Sequence, residues 1–92
     1  MSPDKAETIA LHALGWLAGH DELLPVFQGS SGADTADLAK RASDPVFLAS
    51  VLEFLTMDDS WVMEFCNTAD LAYDLPLRAL NALPGSGRVH WT

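Results

Sequence analysis

The sequence predicts an all-α protein: a compact bundle of five or six short helices, grouped as two three-helix units. Three observations predict it. Apolar residues recur at helical spacing in several segments, each opened by Ser, Asp or Pro and closed by Gly, Asn or Pro. No segment alternates apolar and polar residues with β-branched enrichment, and no Asn-Gly or Asp-Gly hairpin occurs. Finally, residues 9–27 and 47–65 carry one pattern at an offset of thirty-eight positions. Ile9 falls over Phe47, Leu14 over Leu52, Trp16 over Phe54, Leu17 over Leu55, Asp21 over Asp59 and Phe27 over Phe65. A fixed period of this size is the mark of repeated supersecondary units, and two units are too few for a solenoid, so they should fold against each other.

Ser2-Pro3 opens the first helix: the Ser side chain accepts from an orphan N–H, and Pro at the first helical position has no N–H to waste. The helix runs to about Ala18 and stops at Gly19. Its core face carries Ala6, Ile9, Ala10, Ala13, Leu14, Trp16 and Leu17, with Leu11, Gly15 and Ala18 on the other side as a narrow stripe of small or apolar groups. Asp21-Glu22 then opens a two-turn helix with Pro25 in its first turn, ending near Gly29. Gly29-Ser30-Ser31-Gly32 reads as a loop by composition. Asp34 or Thr35 caps a third helix carrying Leu38, Ala39 and Ala42, with Lys40 and Arg41 in its last turn, where cations suit the dipole.

Asp44-Pro45 starts the fourth helix, which runs to about Thr56. Phe47, Leu48, Val51, Leu52, Phe54 and Leu55 cover a broad arc, leaving Ala49, Ser50 and Glu53 opposite, so this helix should be central. Asp58 or Asp59 caps the fifth, whose apolar residues are Trp61, Val62, Met63, Phe65 and Cys66 and which Asn67 ends. A sixth helix, from Asp74 or Pro76 to Leu83, presents Leu77, Leu80 and Leu83. Pro84-Gly85-Ser86-Gly87 then leads into a flexible tail ending Arg88-Val89-His90-Trp91-Thr92.

At 92 residues the chain makes one domain, with its helical body at about 3–83 and its tail at 84–92. Hydrophobic residues are 49% and charged residues 20%, which places the chain among folded globular domains and away from disorder. Thirteen Asp and Glu against five Lys and Arg give a formal charge of −8. Such a surface repels phosphates, which excludes nucleic acid as a partner, and it disfavours anionic membranes by the same argument. The apolar runs are only a few residues long, against the roughly 20 needed to span a bilayer. Lone Cys66 fits a reducing compartment, and the N-terminal residues lack the basic and apolar regions of a secretory signal. A cytoplasmic protein is expected.

Candidate chemistry is sparse. A metal site would need to gather His12, His20 and His90 with Asp21 or Glu22, and zinc wants about four ligands. The simpler reading leaves His12 and His20 solvated, with His20 interacting near the end of the first helix. Cys66 has no local cation to activate it and reads as a small buried hydrophobe. Asp58-Asp59 and Glu64 lack the alternation of a calcium loop, and Gly85-Ser86-Gly87 follows a helix where a phosphate cradle precedes one. A helix-turn-helix reader is opposed by the net charge, since Lys40-Arg41 is the one adjacent basic pair. No cofactor, metal or catalytic residue is assigned.

Residues 10–19 and 22–27, with Asp44 through Leu55 and then Asp59 and Glu64-Phe65-Cys66, resemble a small alphaproteobacterial family classed as a domain of unknown function (DUF3572-like). The resemblance covers about Ala6 to Leu83. It implies a bacterial cytoplasmic origin and supplies no activity, cofactor or site. The expected function is a non-enzymatic module that binds another protein or itself through apolar helix faces, with Trp91, Val89, Leu11 and Tyr73 as candidate partner-binding residues; Trp91 either docks on its own domain, the simpler reading, or anchors the partner. The alternative is a small-ligand-binding protein or enzyme using a cleft between the two halves, with His12, Trp16 and His20 at its rim.

Overall fold

Six α-helices follow one another in the computed structural model, which describes residues 1–32 and 35–83: α1 (Pro3–Ala18), α2 (Leu23–Ser31), α3 (Thr35–Arg41), α4 (Pro45–Leu55), α5 (Asp59–Ala69) and α6 (Leu75–Ala82). Among the described residues there is no strand, as the all-α reading requires. Asp34 and the tail from Pro84 to Thr92, Val89 and Trp91 included, lie outside the described residues.

Local chemistry fixes most helix ends. Ser2 Oγ accepts from the Lys5 N–H at 3.2 Å, with Pro3 at the first helical position of α1. Asp44 Oδ1 accepts from the Val46 N–H at 3.0 Å to open α4, and Asp58 Oδ1 accepts from the Ser60 N–H at 2.8 Å to open α5. The Ser60 hydroxyl also donates to that Asp58 oxygen, at 2.6 Å. Hydrogen bonds from the Ser60 side chain, then from its backbone, favour the ionised form and hold the Asp58 carboxyl below its ordinary value. Helix α5 closes with Asp70 in the left-handed region at φ 59° and the Leu71 N–H donating to Cys66 O at 2.9 Å, a Schellman-type closure.

Helix α2 departs from expectation at both ends. Glu22 occupies its N-cap without a side-chain capping bond, and the cap comes instead from His20, whose Nδ1 accepts the Leu23 N–H at 3.3 Å. Gly29, Ser30 and Ser31, read as a loop, are helical; the helix ends only where Gly32 turns left-handed at φ 74°. Buried Leu23 and Phe27 lie one turn apart and hold the helix on the core, so its packing overrides the weak propensities of its last residues. Asn67 likewise does not stop α5, because Ala69 still packs against the core.

All six helices contribute to one core cluster. Helix α1 packs most extensively on α6 and then on α4, α4 also packs on α6, and α2 and α5 make smaller contacts with α1. The two sequence halves therefore interleave, since α1 meets the second half more extensively than it meets α2. Ala6, Ala10 and Ala13 are fully buried along α1, as is Ala79 on α6. Side chains this small permit close helix approach. The matched pairs Ile9 and Phe47, Leu14 and Leu52, Leu17 and Leu55, and Phe27 and Phe65 are buried in both copies.

Phe27 is the aromatic hub, with ring centroids 6.0 Å from Phe47 and 5.3 Å from Phe54, both edge-on. Phe54 in turn stacks on Trp61 at 5.0 Å. Rings at these separations gain quadrupole attraction beyond the area they bury. One assignment to a helix face is corrected. Ala49, placed opposite the core, is only 2% exposed, because the central α4 is covered on more than the predicted arc. Met63 at 46% and Leu77 at 47% exposure, both counted in the apolar surface of their helices, point to solvent. Helices α5 and α6 are peripheral enough to bury one stripe each, through Phe65 and Cys66, and through Pro76, Ala79 and Leu80.

Candidate functional site

The stripe opposite the core face of α1 becomes one wall of a groove. Leu11, His12, Gly15 and Trp16 of α1 face Phe65, Thr68 and Ala69 of α5 across an open depression of about 480 Å³. Apart from His12 and Thr68, its lining is apolar or glycine. Helix α5 runs against α1 along it: Phe65 meets Trp16, with ring centroids 5.8 Å apart, and Glu64 reaches His20 just beyond the α1 C-terminus. Trp16 is half-buried, Leu11 remains 42% exposed, and Gly15 is exposed between them. A Cβ built on Gly15 meets nothing within 4 Å, so the glycine marks open space beside the groove floor.

A polar brace adjoins Trp16 of the groove. The His20 ring packs edge-on to Trp16 at 5.1 Å. Its Nδ1 accepts from Leu23 N–H, so in the neutral ring the proton resides on Nε2, which lies 3.3 Å from Glu64 Oε1. A single imidazole thus ties the α1 terminus, the α2 start and α5 together, and its side chain is only 19% exposed. The expectation of a solvated His20 is corrected: the turn after Gly19 folds it inward against Trp16. His12 stays exposed on the groove lip.

The remaining candidates lie elsewhere. Tyr73, 51% exposed on the α5–α6 connection, donates its hydroxyl to Asn67 Oδ1 at 2.8 Å. It lines a second depression of about 370 Å³ with Thr56, Asp59, Val62, Asp74 and Leu77. Leu11 and Tyr73 therefore line separate depressions, while Val89 and Trp91 lie outside the described residues. Cys66 is buried and free, and its thiol donates to Ala72 O at 3.5 Å. Burial, with the Asp74 carboxylate adding to it, pushes the thiol above its ordinary value, the reverse of what a nucleophile needs. Among the described residues no three of His, Cys, Asp and Glu gather as a metal site, and no helix is long and apolar enough to cross a membrane.

The far wall of the groove escaped the sequence reading. Gly15 and Leu11 stood out as an unpaired stripe, but Phe65, Thr68 and Ala69 become their partners only once α5 is laid against α1. Together the fold and the groove define a small six-helix domain with an open, mostly apolar cleft between two of its helices. The chain belongs to the family described as protein of unknown function (DUF3572), whose model matches residues 3–86. No curated protein and no solved structure matches it.

Proposed function

We propose that the protein is a non-enzymatic docking module of the cytoplasm that holds an apolar segment of another protein in the α1–α5 groove. The observation that carries this reading is the groove itself: an open cleft of about 480 Å³ with exposed Leu11 and half-buried Trp16 in its wall, Phe65 buried behind them and no side chain on Gly15. A half-buried indole with an open approach suits the central anchor of an interface, and a glycine lets a partner's backbone come close. Free Cys66 accords with a reducing compartment.

The test is to fill the groove without touching the core. A leucine at position 15 meets no atom of the fold at its Cβ and favours helix over glycine, so Gly15→Leu should fold. In affinity purification at native expression, the wild-type chain should retain a stoichiometric partner that Gly15→Leu loses. Equal recovery by both would reject the groove as the docking site, and a dimer in light scattering that Gly15→Leu abolishes would make the partner a second copy.

A second reading, small-ligand binding in the same groove, draws on its volume, which is within the usual range of ligand pockets, and on His12 at its lip. It requires a thermal shift with a metabolite that Gly15→Leu abolishes.

A further inference from the structure

The charge around the groove goes further than its apolar lining. The chain carries −8, and its cations are confined to Lys5, the pair Lys40-Arg41, Arg78 and Arg88. Residues 6–39 and 42–77 contain no Lys or Arg. Both groove walls fall within these spans, α1 beyond Lys5 and α5 throughout. The acids there are exposed: Glu64 beside Phe65, Asp70 beside Ala69, and Asp21 and Glu22 directly after His20. Glu64 is 55% exposed even while it meets His20. The groove lining itself holds no acid, and His12 is its one titratable side chain. The negative charge therefore lies at its margins, where Glu64 and Asp70 adjoin lining residues in the chain and no Lys or Arg of α5 or of α1 beyond Lys5 offsets them.

Resting on the docking reading above, we propose that the groove's occupant is a cationic amphipathic helix of another protein. An apolar side chain of that helix sits against Trp16 and Leu11, its backbone crosses at Gly15, and Lys or Arg on its flanks meet Glu64 and the Asp21-Glu22 pair. A helix suits the cleft because two antiparallel helices leave a channel that a third fills by ridge-into-groove packing. The negative margins reject the acidic counterpart of the same helix.

The experiment uses the full chain and a displayed library of amphipathic helices, each about five turns long, with a fixed leucine and tryptophan face. The flanking positions are randomised among Lys, Glu and Gln. Binders are screened against the wild-type chain and counter-screened against Gly15→Leu, whose fold is checked by circular dichroism. Groove-dependent binders should be strongly enriched in Lys. The best of them should bind at least about tenfold more tightly than its Glu-substituted analogue, weaken as salt is raised, and lose most of that preference against a Glu22→Gln, Glu64→Gln double variant. Groove-dependent binders that are neutral or acidic would overturn the cationic-helix inference and leave the docking reading standing. A library yielding no binder sensitive to Gly15→Leu would overturn both.

Discussion

Replacing Gly15 by alanine should make the protein more stable. Gly15 lies inside α1, three residues before its last residue Ala18, and its φ is not in the left-handed region. Backbone freedom therefore gives no structural reason for glycine there. Nothing stands within 4 Å of a Cβ at this position, so alanine introduces no clash. The change removes the backbone entropy that glycine loses on entering a helix, about 0.5–1 kcal/mol. For a domain of this size that corresponds to roughly 3–6 °C in the melting temperature, readable by calorimetry or circular dichroism.

Gly32→Ala is the internal control. At φ 74° a side chain is strained whatever space surrounds it, so that variant should lose stability, on the order of 1 kcal/mol. Neutral or destabilised Gly15→Ala beside a destabilised Gly32→Ala would refute the claim that Gly15 fronts open space. A Gly32→Ala variant as stable as the wild type would refute the left-handed assignment of Gly32.

Other substitutions probe the core and the brace. Phe27→Ala should destabilise by about 3–5 kcal/mol in denaturant titration, because it leaves a cavity facing both Phe47 and Phe54; a loss near the level of a surface change would show that the aromatic hub is not packed. Cys66 should resist thiol reagents in the native state and react once the chain is denatured. Because its folded-state pKa is raised, the thiol leaves stability unaffected below its ordinary value of 9.0 and erodes it as pH rises beyond, whereas Cys66→Ser should flatten that alkaline limb. In nitrogen NMR of the neutral ring, His20 should be the Nε2–H tautomer; an Nδ1–H signal would contradict its capping of Leu23.

Features governed by neighbouring residues were readable in the sequence. Ser2-Pro3, Asp44-Pro45 and Asp58 open helices where they are placed because each capping bond closes within three residues, a distance the sequence itself specifies. The burial of α1 and most of α4 followed from periodicity, since a single wide apolar face has one way to turn. Expectation failed where packing between helices decided the outcome. Gly29-Ser30-Ser31 extends α2 because Phe27 holds it on the core, and Met63 and Leu77 face water because peripheral helices bury a narrower stripe than their composition offers. The brace from His20 to Glu64 joins residues far apart in the sequence, so local pattern gives no sign of it. The groove is a finding of the same kind: its near wall was visible as the leftover face of α1, and its far wall required the crossing of α5.

Gly15 is where these two kinds of evidence meet. Natural sequences tend to be consistent across levels, with helix propensity, pattern and packing agreeing, and departures without local compensation concentrate where function imposes its own demand. The other glycines of the described chain include two near helix ends, where stopping a helix accounts for Gly19 and Gly32. Gly15 stops nothing, takes no left-handed turn and makes room for no neighbour of its own fold. It lies instead between exposed Leu11 and half-buried Trp16, facing α5 across a groove whose two walls carry no Lys or Arg beyond Lys5. Gly29 meets the same description inside α2 and lines neither depression, so what sets Gly15 apart is its place in the apolar cleft, which under the docking proposal is room for a partner. If alanine there raises stability and leucine there removes groove-dependent binding, the same position will have been measured as a loss to folding and a gain to recognition.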